Sequence, residues 1–187
     1  MSKGAAITVA VLGSARVSRG TLEWSEGFEI GALLSDMGWR LLTGGYGGLM
    51  VAVAEGARSR GGHVIGLPMR AWAHLVPNPA NEELAWCSTY GERLDRITAA
   101  DVVVALPGGV GTLSEWAVGW AAAQTENRPY GVVLVGARWA KLVKSLRELL
   151  VASDEDYGLL AVAEQATDVP AKVREFLGVK RATNARG

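Results

Sequence analysis

Three glycine-rich segments each stand where an apolar run gives way to a helical pattern. They are Gly13-Ser14-Ala15-Arg16, Thr43-Gly44-Gly45-Tyr46-Gly47-Gly48 and Pro107-Gly108-Gly109-Val110-Gly111-Thr112. Glycine lets the backbone come close to an anion, and a helix start offers unpaired N–H groups and the positive end of a dipole. Three such loops could hold a polyphosphate or a ribose phosphate. The third is the sharpest, because a hydroxyl at Thr112 and a carboxylate at Glu115 follow its glycines. Each loop also has a purely structural reading. T-x-x-E is the signature of a capping box, with Thr112 as N-cap and Glu115 reaching back, and TGGYGG is a tight strand-to-helix turn that needs positive φ. Two such loops at matching places favour a ligand. Neither is a Walker A loop, which ends in G-K-[ST], nor a G-x-G-x-x-G fingerprint, so a dinucleotide-dependent oxidoreductase ranks low.

Other reactive residue types carry less. Trp116 and Trp120, two of seven tryptophans, lie at i,i+4 on the helix after the third loop and read as core or dimer seam ahead of a stacking surface for a ligand. Trp72 and Trp86 flank a long connection and read as lid or subunit contacts. His63 and His74 have no metal-ligand spacing, so no metal is expected. Asp101 opens a strand and reads equally as a ribose ligand or a cap. Cys87 stands alone, which excludes an internal disulfide and the common zinc frameworks and suits a reducing, cytoplasmic compartment.

The elements that would position these residues alternate between short β-rich runs and longer helical ones. The runs at Ile7 to Leu12, Arg40 to Leu42, His63 to Leu67, Asp101 to Leu106 and Tyr130 to Val135, with a weaker one at Glu164 to Asp168, predict strands. Helices are expected over Leu22 to Met37, Leu49 to Arg60, Thr112 to Gln124, Trp139 to Leu150 and Pro170 to about Leu177. Continuous apolar runs such as VVVAL and GVVLV predict strands covered on both faces. The expectation is an α/β, Rossmann-like, doubly wound parallel sheet flanked by helices on both faces. It forms one nucleotide-binding domain over 1–178, followed by a frayed basic tail over 179–187. Pro68 to Trp86 is the one long irregular connection. At 187 residues, 49% apolar and 20% charged, the chain can bury a core. Its formal net charge of zero argues against a nucleic-acid partner. No stretch has the roughly 18 uncharged apolar residues of a membrane span, and the N-terminus lacks the pattern of a signal peptide.

From GSAR through GGYGGLM, EGARSRGGHVIGLP and ADVVVALPGGVGTLSEW to the strand at Gly131, the sequence resembles the Lonely Guy (LOG) phosphoribohydrolase superfamily, long mislabelled lysine decarboxylases, together with the related molybdenum-cofactor carrier proteins. The lysines, Lys3, Lys141, Lys144, Lys172 and Lys180, lie away from the loops, so the decarboxylase label finds no pyridoxal-bearing residue. The resemblance implies a homodimer or higher homo-oligomer that binds a nucleotide-like phosphorylated small molecule and uses no cofactor. In the hydrolases the N-glycosidic bond of a nucleoside 5′-monophosphate is cut to free base and ribose 5-phosphate. Carried onto this chain, Gly108, Gly109, Gly111 and Thr112 would hold the phosphate. Gly13, Ser14, Thr43, Gly44, Gly45, Gly48 and Met50 would line the nucleotide pocket. Glu115 would be the catalytic carboxylate, able to stabilise oxocarbenium character or activate water. The arginine expected with it is displaced: counted back from Asp101, Glu92 falls in its place. Arg93 and Arg96 are the neighbours that could supply the charge, or else two solvated arginines pairing with Glu92 or Asp95. The TGGYGGLM form is nearer the carrier-type branch. The alternative to a hydrolase is therefore a non-catalytic nucleotide or molybdenum-cofactor carrier.

Overall fold

Strands that are apolar at every position must be buried on both sides, and the computed structural model, which describes residues 6–126 and 128–184, has that architecture. The elements follow in the order β1 (Thr8–Leu12), α1 (Leu22–Asp36), β2 (Arg40–Thr43), α2 (Leu49–Arg58), β3 (Val64–Gly66), β4 (Glu83–Leu84), α3 (Tyr90–Thr98), β5 (Val102–Ala105), α4 (Val110–Glu126), β6 (Val132–Val135), α5 (Ala137–Leu149), α6 (Asp154–Tyr157), β7 (Leu160–Ala163) and α7 (Val169–Asn184). The strands form one parallel sheet in the order β4-β3-β2-β1-β5-β6-β7. Alternate residues serve opposite faces. Val9, Val11, Val102, Val104, Val133 and Val135 join Ile30, Leu34, Val53 and Val173 of α1, α2 and α7 on one side. Ala10, Leu12, Val103, Ala105, Val132 and Leu134 join Ile97, Trp116 and Trp139 of α3, α4 and α5 on the other.

The strand order reverses between β1 and β5. The chain winds outward from β1 to β4, then crosses back to β5 on the other side of β1. A crevice opens at the carboxyl ends of the strands at such a switch point. On one face of the sheet, helices α1 and α2 meet backbone to backbone, since a Cβ at Gly31 would strike the Val53 carbonyl and one at Gly56 the Phe28 carbonyl.

Several boundaries differ from expectation. The last strand is Leu160–Ala163, and the expected Glu164 to Asp168 holds a 3₁₀ turn in which the Asp168 carboxylate accepts from the Gln165 N–H at 3.2 Å. Within Pro68 to Trp86 lie a 3₁₀ turn (Arg70–Trp72) and the two-residue edge strand β4. α4 begins two residues before Thr112, and α5 two before Trp139. α7 runs past Leu177 to Asn184, and 185–187, the end of the tail expected from the sequence, lie outside the described residues. Among the described residues no helix is long and apolar enough to cross a membrane.

Candidate active site

The three glycine loops are tied to one another by backbone bonds. The Ser14 N–H donates to the Pro107 carbonyl (3.1 Å), and the Ser14 carbonyl accepts from the Leu49 N–H at the start of α2 (2.8 Å). Gly48 takes φ +65° just before α2, and a Cβ there would strike Ser14 and Ala15, so the second loop seats on the first only with glycine. Between these loops lies a cleft of about 700 Å³, within the range of small-molecule sites.

The sequence-predicted residues divide in two. Gly13, Ser14, Gly44, Met50, Gly109, Gly111, Thr112, Arg93 and Glu115 line the cleft. Thr43, Gly45, Gly48 and Gly108 lie behind it and shape the loops. The buried Thr43 hydroxyl accepts from the Gly45 N–H (3.1 Å), and Gly108 packs beneath Thr112, where a Cβ would collide with the hydroxyl. The lining also includes Arg16, Tyr46, Trp72, Leu75, Val76 and Tyr90. Arg16 closes the first loop, and Tyr46 sits inside TGGYGG; position in the motif was the signal for both. Of the long connection, Trp72 had been read as a lid or subunit contact, whereas nothing in the sequence placed Leu75, Val76 or Tyr90 at this cleft.

Thr112 is not an N-cap, and the capping box does not form. The first intrahelical bond of α4 runs from the Leu113 N–H to the Gly109 carbonyl (2.9 Å), so the N–H groups of Val110, Gly111 and Thr112 precede it and face the cleft. Glu115 instead turns to Arg93. Both Nε (3.1 Å) and Nη2 (2.9 Å) of Arg93 donate to Glu115 Oε1. Nη1 donates to the carbonyls of Gly44 (3.1 Å) and Leu67. The pair is buried, with side chains only 5% and 9% exposed. Oε2 carries no hydrogen bond among the described residues. Burial pushes the Glu115 carboxyl above the usual carboxylate range, with the Arg93 charge and hydrogen bond pulling the other way.

Arg93 thus fills the place for which counting back from Asp101 had pointed to Glu92. Helix phase decides it: α3 buries Arg93 and Ile97, which lie four residues apart on one face, and turns Glu92 to solvent. There Glu92 accepts from the Ser88 N–H (2.7 Å) and pairs with Arg96 (2.7 Å). Arg96 therefore belongs to a surface pair and does not line the cleft. Lining charges are Arg16, Arg93 and Glu115, one positive charge in excess; Arg16 has no side-chain partner among the described residues.

The remaining candidates hold structure. Trp116 is buried against Trp139 (5.8 Å between centroids), and the indole of Trp120 donates to the Asp156 carbonyl (2.8 Å). Asp101 accepts from the Thr8 N–H (2.9 Å) and pairs with Arg128 (2.6 Å). His63 pairs with Glu82 (2.7 Å), and no metal-holding cluster of His, Cys, Asp and Glu occurs among the described residues.

A family model described as the SLOG cluster4 family matches residues 6–165. The chain is 28% identical over 158 residues to a protein of Oryza sativa subsp. japonica named probable cytokinin riboside 5′-monophosphate phosphoribohydrolase, covering 80% of this chain and 64% of that one. It is 31% identical over 110 residues to the cytokinin riboside 5′-monophosphate phosphoribohydrolase of Mycobacterium tuberculosis, covering 57% and 59%. The matches thus span about three fifths of the relatives' length. Among solved structures it is similar to the molybdenum cofactor carrier protein of Chlamydomonas reinhardtii, with TM-score 0.73, 26% identity, and coverage of 92% and 99% of the two chains. The molybdenum cofactor binding protein of Rippkaea orientalis shares the fold, with TM-score 0.74 at 20% identity over 92% and 98%.

Proposed function

The chain belongs to the SLOG cluster4 family, and on that premise we propose that it hydrolyses a nucleoside 5′-monophosphate to free base and ribose 5-phosphate. The observation that carries this is the buried Arg93–Glu115 pair, which leaves one carboxylate oxygen free beside three open helix N–H groups. The phosphate rests on the N–H groups of Val110, Gly111 and Thr112, with the excess positive charge of the cleft favouring an anion. That seats the sugar against Glu115. As the bond from C1′ to the base nitrogen breaks, its electron pair leaves with the base and positive charge grows on the ribosyl ring. The ionised carboxylate stabilises that charge. Water then bonds to C1′, and the proton it gives up passes through Glu115 Oε2 to the departing base. Arg93 holds the carboxylate in place through Oε1 alone, which keeps Oε2 available. The protein acts in the cytoplasm as a homo-oligomer.

A second reading has its own support. The carrier protein of Chlamydomonas reinhardtii is matched along nearly its whole length, whereas the matched hydrolases are covered over about three fifths. On that reading the cleft retains a phosphorylated pterin or nucleotide without turnover.

One assay separates them. Purified protein is incubated with AMP and an N6-substituted AMP, and free base and ribose 5-phosphate are followed by chromatography, with Glu115→Gln alongside. Base release that disappears in the variant is expected. Binding without release in the wild type would defeat the hydrolase and favour the carrier.

A further inference from the structure

Resting on the nucleotide reading above, we propose that Trp72 is the platform for the ligand's heterocyclic base. The first turn of α4 acts as a ruler. Its open N–H groups mark the phosphate end, and Glu115 lies three residues beyond Thr112, about 4.5 Å further along the axis. That is the place of C1′. The base, joined to C1′, then extends past Glu115 toward the side on which Arg93 holds it. Trp72 is the aromatic ring there, with the Arg93 guanidinium carbon 5.8 Å from its centroid.

The other two cleft aromatics are committed elsewhere. Tyr46 is buried, and its hydroxyl accepts from the Met69 N–H (2.7 Å). The Tyr90 hydroxyl is bonded to Ser114 Oγ (2.8 Å). Trp72 is half-buried, and its indole N–H has no partner among the described residues. It is also rigidly backed. Its ring lies 5.9 Å from that of Tyr46, and its backbone N–H donates to the Met69 carbonyl (3.1 Å), so the Tyr46–Met69 bond fixes the turn that carries it. Leu75 and Val76, 40% and 84% exposed, continue the wall as an apolar rim. A flat ring, a free donor and an apolar rim fit a planar nitrogen heterocycle that offers a ring acceptor to the indole N–H.

Two probes isolate this subsite. Carbocyclic AMP, in which a methylene replaces the ring oxygen and closes the oxocarbenium route, reads the base end and the phosphate end together; ribose 5-phosphate reads the sugar-phosphate end alone. Calorimetric titration of wild type, Trp72→Ala and Trp72→Phe should show Trp72→Ala weakening carbocyclic AMP about tenfold or more, with ribose 5-phosphate unchanged and Trp72→Phe keeping most of the affinity. Unchanged affinity for carbocyclic AMP in Trp72→Ala, or equal loss for both probes, overturns the assignment while the nucleotide reading stands. Wild-type protein that binds neither probe overturns both.

Discussion

At the scale of single residues, the site turns on a carboxylate whose charge is costly where it stands. Burial raises the Glu115 carboxyl above the usual carboxylate range against the pull of Arg93. A group raised in this way holds its proton more tightly in the folded chain than in the unfolded one. Its favourable contribution is complete below the ordinary carboxylate range and is lost as pH rises through the folded value. Urea unfolding of wild type and Glu115→Gln across that window should therefore show the wild type losing stability relative to the variant as pH increases. Curves that keep a constant separation would mean that the fold does not shift this group. The glutamate was legible in the sequence because it stands at a fixed offset from glycines on one helix. The arginine was legible only as one of two neighbours, Arg93 or Arg96, because it comes from a different element. Counting from Asp101 assumes a spacing across the turn at Thr98 to Ala100, while the side chain's direction is set by the phase of α3. The Thr112–Glu115 capping box failed for a related reason. Once α4 starts at Val110, both residues are inside the helix, and Glu115 is free to turn to Arg93.

At the scale of elements, the cleft depends on a connection with almost no secondary structure of its own. Residues 67–86 are fastened to the second glycine loop by buried amides. Asn78 Nδ2 donates to the Tyr46 carbonyl (2.7 Å), its backbone N–H to Gly45 (2.8 Å), and its Oδ1 accepts from the Ala80 N–H (3.1 Å). Asn81 adds a bond to the Gly45 carbonyl (3.1 Å). Asn78→Ala deletes two of these bonds and strands a buried carbonyl and N–H, a loss of about 1–3 kcal/mol. Since Trp72, Leu75 and Val76 ride on this connection, ligand affinity should fall with stability, by calorimetry and thermal unfolding. Full affinity in a destabilised Asn78→Ala would show that the cleft wall stands without the staple. The sheet itself was plain in the sequence, for strands buried on both faces have a continuous apolar signature. β7 was misplaced because LAVA, though apolar throughout, is half alanine, a residue depleted in strands, and so carries little β-propensity of its own. β4 is two exposed residues held by pairing to β3, which no local pattern announces.

At the scale of the whole molecule, α4 bears on how the chain associates. Its 17 residues include two charges, the buried Glu115 and the terminal Glu126. One side packs on the sheet through Trp116, Gly119 and Ala123, yet the other is also apolar, with Val110, Leu113 and Val118 exposed. A helix that is apolar all round is normally covered all round. The surface continues across a groove of about 250 Å³ formed with Trp120 and Ala121, where Leu150 and Val151 close the turn after α5. Leu149, Leu150 and Val151 are 76%, 46% and 110% exposed there. Isolated apolar residues on a surface mean little, but a run along one helix and its neighbouring turn is the kind of patch that interfaces cover. A second copy of the chain would supply the same surface about a twofold axis, the arrangement that closed homo-oligomers favour. Light scattering should then give a mass that is a multiple of 19.7 kDa, and Val118→Glu, a change on the outer face of α4 and outside the cleft lining, should reduce it to the single-chain mass without altering the circular dichroism spectrum. A wild-type mass of one chain would leave the bare face of α4 without the covering its composition calls for.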